Sequence, residues 1–235
     1  MTHKMKLYNK YLFTARYLPT VVCIVPILFI YFYLVAQYPL YDPGSYFAKM
    51  HYFIDVPVSV VLLYFSSTII RMIGKWLEDI VFHRKDGLPT TYLMLFSSTH
   101  FPASFKQQYR ARVKQKYDLE LLDQASEQMN KAEAVKLLNI ATRYLATAYN
   151  TNEQVERHNT WYGFSRNMAG GSFISLGVSL IGVATGIGLH DKPLIVWMTI
   201  LTLFYTGVLL VHLQGFRKRA VDYANTIIPI FMRDV

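Results

Sequence analysis

Three groups of side chains in this sequence are of types that can do chemistry. The first is Glu78, Asp79, His83, Glu156 and His158, carboxylates and imidazoles that could act as acid and base, or bind a metal, if the fold gathered them. Asp79 and His83 stand four residues apart, which places both on one face of a helix. No second His–carboxylate pair recurs at matching spacing, so the expectation is no catalytic residue, no metal, no cofactor and no enzyme. The second group is Arg84-Lys85 followed by Gly87 and Thr90-Thr91, cations with backbone donors and hydroxyls that suit a phosphate. The multiple glycines of a phosphate-binding loop are missing from it. The third is Lys106, Arg110, Arg112, Lys114 and Lys116, interleaved with Phe105, Tyr109, Val113 and Tyr117 at four-residue spacing. That pattern predicts an amphipathic helix with an apolar stripe and a cationic rim. Three uses of the rim stay open: anionic lipid, a nucleotide or nucleic acid, or water around a helical bundle. Ligand or partner binding is therefore assigned to Arg84, Lys85, Lys106, Arg110, Arg112 and Lys114.

The elements that must hold these groups are unusual for a soluble protein. The chain is 53% hydrophobic and only 17% charged, where soluble domains carry about 25% charged residues. Four apolar runs, over 18–37, 52–73, 169–189 and 194–212, each suffice to cross a bilayer at about 1.5 Å rise per residue. The first run is longer than a secretory leader's and lacks a small-residue cleavage site, so it reads as a retained span. Pro26 inside it predicts a kink, tolerated where neighbouring helices satisfy the freed carbonyl. Cys23 is the only cysteine, so no intramolecular disulfide can form.

The third run contains Gly177, Gly182 and Gly186, the last two as a GxxxG motif that lets another helix come close. Its partner is either an internal span or a second copy of the chain. Trp76, Trp161, Tyr162, Arg166 and Arg217 stand where anchors at the membrane surface belong. Between the second and third runs lies a polar segment whose best helix is 131–151, with Ala134, Leu137, Leu138, Ala141, Leu145 and Ala148 at helical spacing. After the last run, Arg217-Lys218-Arg219 precedes a stretch, 223–231, expected to lie along the interface as an amphipathic helix.

Of the 24 lysines and arginines, only Lys49 and Lys192 fall in the two short connectors. The positive-inside rule then puts both termini and the polar segment in the cytoplasm. The expected fold is all-α, with four transmembrane helices as two hairpins and a cytoplasmic helical domain between spans 2 and 3. Its parts are an N-terminal tail (1–17), a first hairpin (18–74), the cytoplasmic domain (75–167), a second hairpin (168–213) and a C-terminal tail (214–235).

Three segments carry a resemblance: Trp76-Leu77-Glu78, Asp86-Gly87-Leu88-Pro89-Thr90-Thr91 and Tyr162-Gly163-Phe164-Ser165-Arg166-Asn167. Together they resemble a family of uncharacterised bacterial four-span membrane proteins with a Gly-Pro-Thr-Thr-like turn and a Tyr-Gly-Phe-Arg-Arg-Asn-like entry to the third span. Here Leu88 separates Gly87 from Pro89, and Ser165 replaces the first arginine. The resemblance implies architecture and a bacterial inner membrane, and no activity. The layout also resembles that of membrane components of anti-phage systems. The expectation is a sensor or effector of such a system that forms homo-oligomers in the lipid bilayer and binds a cytosolic protein. The alternatives are an oligomeric channel or transporter, or a scaffold recruiting a cytosolic partner.

Overall fold

The computed structural model describes residues 10–37, 46–82 and 87–234, with side chains over 10–33, 60–82 and 87–234. Among the described residues every regular element is a helix. Helix α1 is built of a π-helical turn, Phe13–Tyr17, followed by Leu18–Cys23 and Val25–Gln37. Helix α2 is Tyr46–Phe82, α3 Pro89–Tyr92, α4 Ala103–Tyr117, α5 Gln124–Met129, α6 Lys131–Ala148, α7 Glu153–Gly188 and α8 Lys192–Arg233. Four helical stretches are long and apolar enough to cross a membrane: Lys10–Tyr33, Val60–Phe82, Glu153–Gly188 and Lys192–Arg233. Residues 38–45, with the Asp42-Pro43-Gly44-Ser45 turn that the sequence predicts, and His83, Arg84, Lys85 and Asp86 lie outside the described residues.

The chain divides into two compact units, and the divisions fall inside α2, α7 and α8 rather than in linkers. The polar unit takes Glu78–Tyr162 and Gly215–Val235; the span unit takes Lys10–Leu77 and Gly163–Gln214.

In the polar unit Leu137 of the predicted stripe of α6 is half-buried and Ala148 exposed, while its other four residues, Ala134, Leu138, Ala141 and Leu145, are buried in the core. Tyr109 and Val113 of α4 join them. So do Ala224, Ile227, Ile228 and Phe231 of α8, and this corrects the expectation for 223–231. The stretch is helical and amphipathic as predicted, but its apolar face meets protein and not the membrane surface. Periodicity shows that a face must be covered and does not say by what. Local sequence sets the ends of the short helices. Asp123 accepts from the Ser126 amide at 2.8 Å to start α5, and Asn130 from that of Glu133 at 3.1 Å to start α6. Asp118, at φ 51°, ends α4 in the left-handed conformation.

In the span unit the two prolines of α1 decide how it is held. Proline has no N–H, so Pro19 and Pro26 deprive the carbonyls four residues earlier, Ala15 and Val22, of their helical donor. Asn167 of α7 donates its Nδ2 to Ala15 O at 2.6 Å. Tyr205 of α8 donates its hydroxyl to Val22 O at 2.6 Å. At the second proline the Ile27 amide turns to Ile24 O, 3.0 Å, and the Cys23 carbonyl it leaves receives Ser175 Oγ at 2.5 Å. Each freed acceptor is thus met from a neighbouring helix, as an apolar surround requires. Replacing Tyr205 by Phe removes one donor and little volume. It is expected to cost about 1–3 kcal/mol, the penalty of a buried unsatisfied carbonyl, read as a lower unfolding midpoint in detergent.

Candidate functional site

The cationic cluster of α4 is the natural place to look for a binding face, and the structure puts its two central members inside. Lys106 is 1% exposed and Arg110 8%. Both belong to the same helical face as Val113, three and seven residues on from Arg110 and Lys106. What they hold is the irregular segment that follows α3. Lys106 Nζ donates to the carbonyl of Leu95 at 2.6 Å and to that of Ser98. Arg110 donates to Met94 O at 3.1 Å and Leu122 O at 2.7 Å, and its guanidinium lies 4.0 Å from the centre of the Phe96 ring. Glu127 of α5 takes the amide of Phe96 at 2.6 Å on one oxygen and Arg110 at 2.8 Å on the other.

Carbonyls of the loop are therefore met by cations and its amides by a carboxylate, an arrangement that lets irregular backbone be buried. Burial pushes Lys106 below the ordinary lysine range, with Glu127 opposing the shift. Burial likewise lowers Arg110, and Glu127 opposes it. Lys106 and Arg110 are thus corrected from a partner-binding rim to the frame of a buried loop. A four-residue stripe of Phe105, Tyr109, Val113 and Tyr117 implied a polar face beside it, but a buried cation with carbonyl partners reads the same in sequence as a solvated one.

The outer cations are partnered as well. Arg112 donates to Met232 O at 3.0 Å, and Lys114 pairs at 2.7 Å with Glu120, both exposed. Lys116 reaches the Tyr149 hydroxyl and Asp234, each at 3.0 Å, and Tyr149 donates to Asp234 at 2.5 Å. With Phe231 between Tyr109 at 5.5 Å and Tyr149 at 6.4 Å, these bonds fasten the end of α8 to α4 and α6. The Tyr149 hydroxyl and the Lys116 ammonium hold Asp234 below the usual carboxylate range, and Tyr149 and Asp234 push Lys116 up to about 12. A lowered carboxyl stabilises the fold above its ordinary pKa, and that contribution is lost as pH falls through the folded value. The acid limb of a stability-against-pH profile is therefore expected to flatten in Asp234→Asn and to keep its shape near neutral pH.

The Gly-Leu-Pro-Thr-Thr turn serves the same unit. Gly87 has φ 106°, open to glycine alone at little cost. Thr90 and Thr91 are buried, and Thr91 Oγ1 donates to Asn139 of α6 at 2.6 Å. It is a docking turn for α3; the basic pair of the phosphate reading, Arg84 and Lys85, lies outside the described residues. Glu78 accepts from the Tyr162 hydroxyl, and with Asp79, Phe82, Gly87 and Leu88 it lines a cavity of about 300 Å³. No three His, Cys, Asp or Glu side chains among the described residues are grouped to hold a metal.

In the span unit the glycines sort by what stands opposite. A Cβ on Gly182 would meet the Met198 side chain, and one on Gly186 the Ile195 side chain at 2.8 Å, so α8 is the internal partner of the GxxxG face. Gly177 has nothing within 4 Å. The tightest approach to backbone lies elsewhere in α7. A Cβ on Gly170 would lie 2.5 Å from the Gly74 nitrogen and 2.6 Å from Ile70 O, backbone that cannot swing aside. Gly170→Ala is expected to cost more than about 1–3 kcal/mol, the usual range of overpacking. Gly182→Ala should cost less, since a methionine tip can move. Unfolding midpoints of the two variants in detergent check the order.

The expected surface anchors divide. Trp76 is half exposed with its ring 5.8 Å from Phe173, and Trp161 is 47% exposed beneath Arg219, whose guanidinium lies 5.2 Å from its ring. Tyr162 and Arg166 are buried, and Arg217 is exposed. Sequence reading gave no role to Tyr205 or Gly74, and it named Asn167 only as part of the family-like segment and Gly170 and Ser175 only as small residues of the third span. The signal for Asn167 was Pro19, whose missing N–H frees a carbonyl just as that of Pro26 does. No protein-family model, no curated protein and no solved structure matches this chain.

Proposed function

We propose that the chain is a multi-pass protein of a bacterial inner membrane whose polar unit faces the cytoplasm and passes a binding event to the spans. The spans form two hairpins in this reading, with both termini cytoplasmic. What supports it is α8, which runs as one helix from Lys192 to Arg233 and carries both a membrane-length apolar stretch and Phe231, fully buried in the polar unit. A partner that tightens or loosens that core acts on the same helix that crosses the bilayer. The lysine and arginine distribution supports the orientation.

We place the protein in anti-phage defence, as a sensor or effector that oligomerises and answers a cytosolic protein, on its resemblance in layout to such components. The test is phage challenge of cells expressing the chain, with membrane potential followed by a dye. A variant with four glycines inserted after Gln214 keeps both parts of α8 and breaks its continuity. The reading expects protection and a potential change with the natural chain and neither with the insertion. Equal behaviour of the two would remove it. An oligomeric channel is the second reading, and Ser172, Ser175 and Ser179 speak for an internal use of its polar groups instead, being buried, with the last two bonded to carbonyls.

A further inference from the structure

The end of α8 sits on the polar unit as a bound peptide helix would. From residue 223 onward its buried residues are Ala224, Ile227, Ile228 and Phe231, in one core cluster with Tyr109 and Val113 of α4 and Leu138, Ala141 and Leu145 of α6. That i, i+3, i+4, i+7 set is how an amphipathic helix fills a groove on another protein. The rim of the groove meets the helix C-terminus with cations. Arg112 donates to the Met232 carbonyl at 3.0 Å, and Lys116 reaches the Asp234 carboxylate at 3.0 Å.

The helix in the groove is a poor one in its own right. Pro229 stands inside it and removes the N–H that would bond Asn225 O, and Thr226, Ile227, Ile228 and Ile230 are β-branched. The groove, more than local propensity, keeps 224–233 helical. The polar clasp at its tip adds little, because the Lys116 and Asp234 side chains are 38% and 52% exposed and water screens such a pair. A helix with the same apolar face, the same carboxylate and no proline would meet the same groove and lose less in becoming helical.

We infer that the α4–α6 groove is a docking site for an amphipathic helix of a partner protein, with the end of α8 as its internal competitor. The partner helix carries a small residue, two aliphatic residues and an aromatic one at i, i+3, i+4 and i+7, and a carboxylate three residues after the last. Its entry displaces the end of the helix that carries the last membrane-length stretch. The inference rests on the reading that the polar unit takes a partner, and it names what that partner brings.

A labelled peptide of residues 220–234 bearing Pro229→Ala tests it on the full chain in mild detergent. Fluorescence anisotropy reads binding. Hydrogen exchange by mass spectrometry reads displacement, the alanine distinguishing peptide fragments from those of the chain. The expected result is saturable binding in which the chain's own amides from Ala224 to Phe231 lose protection and those from Leu138 to Leu145 keep it. The same peptide with Phe231→Asp added should not bind. Pro229→Ala placed in the chain strengthens the internal competitor, and should weaken peptide binding by at least about tenfold while leaving the chain folded. Binding that leaves Ala224 to Phe231 protected, equal binding of the two peptides, or equal affinity for the two chains would each overturn the site. Chain dimers that the peptide dissolves would make the occupant a second copy and overturn the partner helix. Absence of displacement in a chain that protects cells from phage refutes the groove alone. Displacement in a chain that protects no cell leaves the groove standing and refutes the reading beneath it.

Discussion

Replacing Phe231 with alanine is expected to destabilise the polar unit strongly before anything happens to the spans. The side chain is 0% exposed and its ring is surrounded by Tyr109, Tyr117 and Tyr149. Removing a buried phenylalanine costs about 3–5 kcal/mol, against a total of about 5–15 kcal/mol for an ordinary domain. The cavity would open where α4, α6 and the end of α8 meet, so none of the three can relax to fill it alone. Arg112 and Lys116, whose charges lie 5.7 and 5.8 Å from the Phe231 ring, would lose that neighbour as well. Limited proteolysis would detect the change, with cleavage appearing in the polar unit while the apolar stretches stay protected in detergent. Exposed Met129, at the end of α5, is the control: its replacement by alanine should change nothing.

The second large effect is expected at Glu127. Its carboxylate answers Arg110 on one oxygen and the Phe96 amide on the other, so Glu127→Ala orphans a buried cation and a buried N–H together. Breaking a buried ion pair on one side costs about 3–5 kcal/mol. A double-mutant cycle separates the two losses. Arg110→Met combined with Glu127→Leu removes both charges and should recover part of the stability, since the stranded charge is gone. It should not recover all of it, because the Phe96 amide and the Met94 and Leu122 carbonyls still lack partners. Full recovery would mean that the charge pair alone matters and that the loop does not need its backbone satisfied.

These two positions show what the sequence disclosed and what it withheld. Four apolar runs without charge at their centres predict four membrane-length helices, because hydrocarbon admits few other solutions. The stripe of Ala134, Leu137, Leu138, Ala141, Leu145 and Ala148 predicts a helix and its buried face; the helix is present, with Ala134, Leu138, Ala141 and Leu145 buried, Leu137 half-buried and Ala148 exposed. The use made of the polar residues was not legible. Lys106 and Arg110 look like a rim because lysine and arginine are mostly exposed, and only the fold reveals the carbonyls of Leu95 and Met94 waiting for them. The end of α8 was misassigned for a related reason. Its apolar period is equally suited to a membrane surface and to a protein groove, and the groove is assembled from α4 and α6, more than 75 residues earlier in the chain.

The prolines taught the opposite lesson. Pro19 and Pro26 fix by covalent structure which carbonyls of α1 are freed, and Asn167 and Tyr205 are the donors that answer them. The Asn167 end of the Tyr-Gly-Phe-Ser-Arg-Asn segment therefore has a physical role that needs no ligand.

The proposed coupling requires the end of α8 to belong inside the polar unit, because that helix also carries the last membrane-length stretch. Amide hydrogen exchange along α6 measures it directly, in the full chain and in a chain ended after Gln214. With Ile227, Ile228 and Phe231 in place, the amides from Leu138 to Leu145 should exchange slowly; in the shortened chain they should exchange at rates near those of unfolded peptide. Equal protection of α6 in the two chains would contradict the account.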